Sequence, residues 1–395
     1  MRILQICSKP SFPPVDGGTQ AMHQLSEILL EQGVELKILC FETPKHPFQA
    51  SQEGFLKRTN FECIKVDTRV KIMDMIANLF GKQSYHIQRF LNTNVEDRLK
   101  QLLAETAFDV IILDSLFSAA YYDTIRKKTN AKIYLRAHNV EYIIWENLAR
   151  GAKNPIKKWY FNLLTKRLKS FEVHMINSVD GVLCISAVDL ELYKQLKGQR
   201  RLYLISFASS KIAQRPSLLQ QSHPSAYHLA SMDWYPNVEA VQWFIKKVWP
   251  VLKEKNQKIE IHFAGRKMPD SLIKQSEPRL HIHSQVDDIS YFLDAHTMLI
   301  VPLQSGSGIR IKIVEGLAMG KAIISTSKGA EGLGLKHGEN ILIADTPEEF
   351  AQAICDCAEN IELHNKIAEN ALKFAAEKLS RQEIGKNLMA VLQIH

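Results

Sequence analysis

The chain has 395 residues, 46% of them hydrophobic and 23% charged, which is the balance of an ordinary globular protein with about two domains. Its 50 basic and 42 acidic side chains give a net charge of +8, which favours anionic partners without choosing among them. Six scattered cysteines exclude a disulfide framework and a zinc-type spacing, and there is no signal peptide and no apolar stretch of membrane-spanning length. We therefore expect free buried thiols and a soluble or peripherally attached protein in the reducing cytoplasm.

Short apolar segments alternate with helical patterns along the first half of the chain. Helical periodicity covers residues 19–32 and ends at Gly33. The predicted strands show no polar alternation, which is typical of parallel strands covered by helices on both faces. They lie at residues 3–7, 34–41, 109–114, 132–136 and 181–185.

A polar stretch with prolines and serines, residues 206–225, interrupts this alternation and is predicted to be a linker. The alternation then resumes, with helices predicted at 238–251 and 309–319 among six further apolar strands. The sequence therefore predicts an α/β protein of two Rossmann-like domains, whose parallel sheets face each other across a cleft. The predicted domains are 1–205 and 226–375, followed by a C-terminal helix at 376–395 that crosses back to the first domain.

Two segments of the first half place polar groups after strands. Gly17 and Gly18 open a helix, where backbone amides approach a phosphate closely, although a tight turn explains a Gly-Gly pair equally well. The segment RAHNVEY places His138, Asn139 and Glu141 just beyond a strand. Because ligands of doubly wound sheets bind at the carboxyl ends of strands, we predict that these residues line a site.

The strongest candidate site is VPLQSGSGIRIKIVEGLAMGKAIIST, residues 301–326. A buried strand is followed by a Gly-Ser-Gly loop and a helix, so that backbone amides and the cations of Arg310 and Lys312 suit a diphosphate. Glu315 suits the hydroxyl groups of a ribose. The alternative is a solvated helix face, which the apolar neighbours of these charges oppose. The predicted ligand contacts in the loop are Ser305, Gly306, Ser307, Gly308 and Ile309.

Two more loops of the second half follow strands. In SMDWYPNVEA, residues 231–240, Asp233 and Asn237 border the predicted nucleotide site, or Asn237 caps the following helix. In HFAGR, the turn at Gly265 and Arg266 is predicted to contact base or phosphate.

Taken together, these segments resemble glycosyltransferase family 4, the group 1 transferases of GT-B architecture, in the same order along nearly the whole chain. The similar segments are residues 14–18, His138, residues 231–237, the G-S-G-x-R-x-K-x-x-E pattern within 306–320, and residues 325–345. The resemblance implies a retaining hexosyl transferase that needs no metal and no cofactor. It implies a nucleotide-sugar donor on the second domain and a glycan or lipid-linked acceptor mainly on the first.

The chain departs from the family pattern at two places. Ser307 stands where many members have a glutamate eight positions before the equivalent of Glu315. Met232 and Asn237 lie where many members have an arginine and a lysine after the first strand of the second domain. We hypothesise that Arg310 and Lys312 take over neutralisation of the diphosphate, during attack of the acceptor on the face from which the diphosphate leaves. His138 is then expected to hydrogen-bond the sugar or the acceptor.

The segment at residues 154–172 is basic and amphipathic, and predicts either contact with an anionic membrane or a packed surface helix with a solvated basic edge. Three other functions stay open at this point. They are a non-catalytic nucleotide-binding subunit, a sugar-nucleotide epimerase of the same architecture, and nucleic-acid binding, which no recognised motif supports.

Overall fold

The computed structural model describes residues 1–49, 53–196, 201–209, 212–218, 224–306 and 308–393. The strands within these ranges are β1 (Arg2–Cys7), β2 (Glu35–Glu42), β3 (Glu62–Lys65), β4 (Val110–Asp114), β5 (Lys132–Ala137), β6 (Gly181–Cys184), β7 (Leu202–Leu204), β8 (Ser225–Leu229), β9 (Glu260–Ala264), β10 (Leu280–His283), β11 (Met298–Val301), β12 (Ala322–Ser325) and β13 (Leu342–Ile343).

Helices connect nearly all of these strands. They are α1 (Gly17–Glu31), α2 (Glu53–Arg58), α3 (Ile72–Leu79), α4 (Tyr85–Gln88), α5 (Thr93–Glu105), α6 (Tyr122–Arg126), α7 (Glu141–Gly151), α8 (Pro155–Ser178), α9 (Ala187–Lys194), α10 (Tyr235–Trp243), α11 (Trp249–Lys255), α12 (Asp270–Ile273), α13 (Ile289–Ala295), α14 (Ile311–Ala318), α15 (Ser327–Ala330), α16 (Pro347–Glu359), α17 (Ile361–Lys378) and α18 (Arg381–Gln393). A 3₁₀ turn covers Ser118–Tyr121 and a π segment covers Phe244–Val248.

The chain forms two compact units. The first contains Met1–Ser206 and the residues from Gly385 onward, and the second contains Phe207–Ile384. The end of the chain is anchored in the first unit, where the hydroxyl of Tyr134 donates to the carbonyl of Val391 at 3.1 Å. Each unit has its own apolar core, packed around buried strands.

The sheet of the first unit is parallel throughout its described part, in the order β3-β2-β1-β4-β5-β6-β7. Its central strands are buried on both faces, as all five residues of β4 show. This confirms the prediction of a parallel sheet covered by helices, in which strands buried on both faces are apolar without alternation.

The sheet of the second unit is likewise parallel over the described residues, in the order β10-β9-β8-β11-β12-β13. In each unit the strand order reverses beside the first strand, between β1 and β4 and between β8 and β11. The carboxyl ends of strands at such a reversal leave a crevice in which doubly wound sheets bind ligands. The prediction of two Rossmann-like α/β domains is therefore confirmed.

Several predicted element boundaries are wrong. Helix α1 already begins at Gly17, because the side chain of Asp16 caps it by accepting from the amide of Thr19. The helix predicted at 238–251 begins at Tyr235 and is interrupted by the π segment. The helix predicted at 309–319 begins only at Ile311. The predicted linker lies partly outside the described residues, and its last predicted position, 225, is the first residue of β8.

The cysteines are free thiols, so the prediction of buried free thiols is confirmed for Cys7, Cys40 and Cys184, and burial raises the pKa of Cys7. Helices long and apolar enough to span a bilayer are absent from the described ranges.

Candidate functional site

A buried carboxylate and a histidine meet at the strand reversal of the first unit. Asp114 ends β4, and its Oδ1 lies 2.6 Å from Nε2 of His138, which follows β5. Its Oδ2 accepts a hydrogen bond from Gln5 of β1 at 2.7 Å. Arg136 lies 3.5 Å from Asp114 and donates to the carbonyl of Ala21. His138 was predicted from the sequence but Asp114 was not, although an aspartate at the end of an apolar strand is visible in the sequence.

The environment fixes the protonation of this pair. Burial acts to raise the pKa of Asp114, but the charge of Arg136 and the hydrogen bond from His138 outweigh it, so the pKa lies below its usual value. Burial lowers the pKa of His138 despite the neighbouring carboxylate. A neutral His138 that donates Nε2–H to Asp114 carries its lone pair on Nδ1, which is then an acceptor.

The two other candidates beyond β5 serve partly structural roles. Glu141 begins α7, where its amide and that of Tyr142 each donate to Glu172 at 3.0 Å. The hydroxyl of Tyr193 donates to the same carboxylate and to the carbonyl of Asn139. Burial and the charge of Glu172 raise the pKa of Glu141 to about 8. The carboxylate of Glu172 thus binds the free amides at the start of α7. Sequence periodicity did not indicate this contact.

Gly17 and Gly18 form the first turn of α1 instead of a loop before it. Asp16 accepts from the ammonium group of Lys9 at 2.8 Å and from the ring of His46 at 2.9 Å. A Cβ atom at Gly18 would lie 2.7 Å from the ammonium group of Lys9. The start of this helix therefore holds a lysine that the sequence analysis did not name.

The glycine loop of the second unit adopts a conformation that requires glycine. Gly306 and Gly308 have φ of +109° and +80°. A Cβ at Gly306 would lie 2.6 Å from the ring of Trp234. The guanidinium carbon of Arg310 lies 5.3 Å from the centre of that ring, and its Nη1 donates to the carbonyl of Gly308 at 2.6 Å. Ser307, the remaining loop residue, lies outside the described residues.

Arg310 precedes α14 instead of lying within it, in extended backbone with φ −85° and ψ 91°. The side chain of Arg310 is buried, and burial lowers its pKa. Lys312 is the second residue of the helix. Two residues two positions apart within one helix point to different faces. Because Arg310 lies outside the helix, this restriction does not apply to Arg310 and Lys312.

Lys312 makes two contacts at the strand reversal of the second unit. Its ammonium group lies 3.1 Å from Nε2 of His228 on β8 and 3.0 Å from Oδ1 of Asn237. Nδ1 of His228 is bonded to the carbonyl of Ile300 on β11 at 2.8 Å. Burial, and then the charge of Arg310, lower the pKa of Lys312 to about 7. His228 was missed in the sequence, where it is an isolated histidine in a buried strand.

Asn237 does not cap α10, so that alternative is wrong. The helix is capped by Trp234 without a side-chain bond, and Asn237 is buried in its first turn. Its Nδ2 donates to the carbonyl of Ser231 at 2.7 Å while its Oδ1 accepts from Lys312. Asn237 therefore holds the lysine in place.

The remaining candidate residues of the second unit differ in how far they are buried. Ser305 donates to Glu239 of α10, and Ile309 and Glu315 are half-buried. Asp233 is exposed and pairs with Lys267 at 2.9 Å. Arg266 is exposed, whereas the neighbouring Gly265 is buried.

At Gly265, which follows β9, the backbone lies close to that of Ala230, which follows β8. The φ of Gly265 is +151°, and a Cβ atom there would lie 1.6 Å from the carbonyl oxygen of Ala230. The structure thus brings Gly306, Gly308 and Arg310 together with Trp234, and Lys312 together with Asn237. His138, Asn139, Glu141, Gly17 and Gly18 belong to the first unit.

The basic segment predicted at 154–172 forms the start of α8, which Asn154 caps. Trp159 is exposed, with Lys157 and Lys158 beside it in the chain, whereas Arg167 donates to carbonyls at the end of α3 at 2.7 and 3.0 Å. The inner half of the segment is therefore packed, as the alternative predicted. Exposed apolar side chains of α3 and its end adjoin this contact, namely Ile72, Met73, Ile76 and Phe80.

The fold matches solved glycosyltransferase structures of the GT-B type. Sucrose-phosphate synthase from Thermosynechococcus elongatus superposes with a TM-score of 0.72 at 12% identity, covering 99% of this chain and 98% of that chain. Anabaena HepE, in complex with UDP and glucose, superposes with a TM-score of 0.64 at 13% identity, covering 99% of both chains. At these identities the similarity establishes the fold alone.

The sequence adds a more specific relationship. Residues 223–360 match the family described as glycosyl transferases group 1. Over 407 residues the chain is 22% identical to an uncharacterised 44.6 kDa protein in the cps region of Klebsiella pneumoniae, covering 97% of each chain. The protein is therefore glycosyltransferase-like, and the resemblance is supported at the level of the superfamily. Membership of family 4 stays a prediction.

Proposed function

We propose that the protein is a retaining, metal-independent hexosyl transferase of family 4. It moves a sugar from a nucleotide-sugar donor to a hydroxyl group of a glycan or lipid-linked acceptor, at the cytoplasmic side of the cell membrane. The product belongs to cell-envelope polysaccharide. Support comes from the group 1 profile, from the relative in a cps region, and from the neighbour that binds UDP and glucose.

The observation that carries the proposal is the half-buried ammonium group of Lys312. Its two contacts, His228 and Asn237, are neutral, and within the part of the chain that the structure describes it makes no ion pair with a carboxylate. Taking a cation partly out of water without a counter-ion is unfavourable, and this desolvation is the main cause of the lowered pKa of Lys312. A diphosphate bound here would supply the missing charge.

The loop beside Lys312 has the other properties of a phosphate site. Gly306 and Gly308 give close access to their backbone amides, and the buried Arg310 adds a second cation just before α14. Bidentate contact from the guanidinium and a point charge from the ammonium suit two phosphates. Asp233, Gly265 and Arg266 lie on neighbouring loops, which we assign to the nucleoside, while Glu315 accepts from the ribose hydroxyls.

The same groups explain catalysis. As the bond between the sugar and the diphosphate breaks, negative charge grows on the leaving oxygen, and Arg310, Lys312 and the loop amides stabilise it more than they stabilise the ground state. The acceptor hydroxyl attacks from the face that the diphosphate leaves, so the configuration of the sugar is retained. No metal is required in this scheme because two protein cations replace it.

In the first unit we assign His138 to sugar or acceptor hydroxyls. Its Nε2–H is held by Asp114 and its Nδ1 is then a fixed acceptor for a hydroxyl group. Asn139 lies on the loop after β5 and Glu141 begins α7, while Gly17 and Gly18 form the first turn of α1. We assign these four residues to the acceptor.

A membrane surface completes the proposal. The exposed apolar residues of α3 and the exposed start of α8, with lysines around Trp159, combine insertion with attraction to anionic headgroups. This arrangement suits a lipid-linked acceptor.

The proposal is tested by incubating the full chain with a panel of nucleotide sugars and following nucleoside diphosphate release. Slow release without acceptor, restricted to one donor and accelerated by lipid-linked glycan acceptors, supports a transferase. Conversion of the sugar nucleotide with no acceptor and no diphosphate release would show an epimerase instead, and binding without turnover a non-catalytic subunit.

A further inference from the structure

A group of potential metal ligands lies at the edge of the second sheet, on residues of β9 and β10 to which the proposed reaction assigns no role. Strands β9 and β10 are parallel neighbours with His262 and His281 directly paired, and Glu260 precedes His262 by two residues on the same face. Nε2 of His262 lies 3.5 Å, and Nε2 of His281 3.9 Å, from Oε2 of Glu260. One ligand atom from each residue falls within 4.8 Å of both others.

A second group of side chains orients the first. Nδ1 of His262 lies 3.2 Å from Nε2 of His283, the next residue on that face of β10. The ring of His296 lies 4.2 Å from that of His262, and its Nδ1 is hydrogen-bonded to Ser225 at 2.9 Å. When His262 donates its Nδ1–H to His283, its Nε2 carries the lone pair. Metal-bound histidines characteristically donate their other ring N–H in this way.

The two ligand nitrogens have no other hydrogen-bonding role. Nε2 of His262 and Nε2 of His281 are buried, and neither has a hydrogen-bond partner among the residues that the structure describes. Buried polar atoms are normally satisfied, so two such atoms within 4 Å of one carboxylate require an explanation. A ligand shared by the three groups provides it.

We propose that Glu260, His262 and His281 bind a divalent transition-metal ion of the Zn²⁺ class. Zinc takes nitrogen and oxygen ligands at about 2.0–2.2 Å, which places tetrahedral ligands about 3.3–3.6 Å apart. The observed separations of 3.5 and 3.9 Å are close to this range. Two histidines and a carboxylate leave the fourth position to water, and the partly exposed Glu260 and His281 provide access from solvent.

The metal would act as a clip between the edge strand β10 and β9. In the order β10-β9-β8-β11 the site is separated from β11, after which the phosphate-binding loop begins. The ion therefore plays no part in neutralising the donor diphosphate. Cysteine and histidine spacing did not reveal the site, because strand pairing and not chain separation brings His281 beside His262.

The test uses the full chain without an affinity tag, stripped of metal by a chelator and then titrated with Zn²⁺ in a calorimeter. We expect one ion per chain, and a rise in Tm of about 5 °C at a hundredfold excess over Kd. Co²⁺ is expected to give the visible absorption of a tetrahedral N/O site. His281→Ala should weaken binding at least 100-fold, Glu260→Gln at least 10-fold, and His283→Ala about 10- to 100-fold.

His174→Ala is the matched control, since His174 is an exposed histidine of α8, and its affinity for Zn²⁺ should equal that of the wild type. We expect each variant to fold, because Glu260 and His281 are partly exposed, and circular dichroism verifies this. Absence of stoichiometric Zn²⁺ binding would overturn the proposal. So would unchanged affinity in both His281→Ala and Glu260→Gln, or a Co²⁺ spectrum that survives His281→Ala.

Discussion

The ammonium group of Lys312 donates a hydrogen bond to Nε2 of His228 at 3.1 Å, because the other ring nitrogen of His228 already bonds the carbonyl of Ile300 at 2.8 Å. Burial, and then the charge of Lys312, hold the pKa of His228 well below its usual value. The imidazole is therefore neutral, and it links the carbonyl of Ile300 on β11 to the ammonium group of Lys312 through two hydrogen bonds. These hydrogen bonds hold the ammonium group of Lys312 at the strand reversal of the second unit.

The first prediction concerns pH. The pKa of Lys312 is about 7 in the folded protein and 10.5 in its ordinary environment. The unfolded chain binds more protons between these values, so this group makes stability rise with pH from about 7 to 10.5. Donor binding needs the charged form and raises its pKa. Affinity should therefore fall as pH rises above 7, by up to about tenfold per pH unit.

Calorimetry in two buffers of different ionisation enthalpy measures this proton uptake directly. A nucleotide sugar has both phosphates esterified, so the ligand itself does not titrate near neutrality. We expect uptake of up to one proton per donor at pH 8, and none in Lys312→Met. Proton uptake that persists in Lys312→Met would assign it to another group.

The second prediction concerns Asp114. Asp114→Asn removes the carboxylate that orients His138, so the ring can adopt the other tautomer. We expect kcat to fall at least about tenfold, with donor affinity within about threefold of wild type. The ¹⁵N shifts of His138 report the tautomer, and exposed Asp123→Asn is the control. A variant with unchanged kcat and unchanged His138 shifts would show that the pair is only structural.

The third prediction concerns Gly265. Gly265→Ala introduces a Cβ 1.6 Å from the carbonyl of Ala230, so the ends of β8 and β9 must separate. We expect a loss of unfolding free energy of at least ~2 kcal/mol in chemical denaturation. Gly334→Ala is the control, with φ +69° and no atom within 4 Å, and should cost about 1 kcal/mol. Equal losses would mean that backbone conformation alone matters at Gly265.

The fourth prediction concerns the surface of α3 and α8. Phe80→Ser with Trp159→Ser should weaken binding to vesicles of phosphatidylglycerol and phosphatidylcholine by at least about tenfold, because two exposed rings are lost. Lys157→Gln with Lys158→Gln should weaken binding only where anionic lipid is present. Leu91→Ser, an exposed apolar residue outside both helices, is the control. Equal binding of all variants to the vesicles would contradict membrane binding through α3 and α8.

The sequence predicted the fold because its strands are apolar without alternation, a pattern typical of parallel sheets covered on both faces. It also indicated the loop around Gly306 and Gly308, because local glycine chemistry is visible in a short segment. Element boundaries failed where side chains decide them, as at Asp16, whose carboxylate starts α1 earlier than periodicity indicates.

Groups that act through tertiary contacts were not predictable in the same way. Asp114 and His228 lie inside apolar strands, and their roles depend on which strands are neighbours. Glu172 lies 31 residues beyond Glu141, in a helix that periodicity describes only as basic and amphipathic. Sequence spacing contains none of these pairings, since strand order and helix packing create them.

The most direct test of the central claim is donor binding by Lys312→Met, measured by saturation-transfer NMR and calorimetry over a panel of nucleotide sugars. The substitution keeps the length of the side chain and removes its charge. We predict that the wild type binds one donor through base, ribose and sugar, and that Lys312→Met binds it at least about tenfold more weakly without loss of stability. Lys274→Met, at an exposed lysine of the same unit, should bind like the wild type. Equal donor affinity in Lys312→Met and wild type would contradict the account.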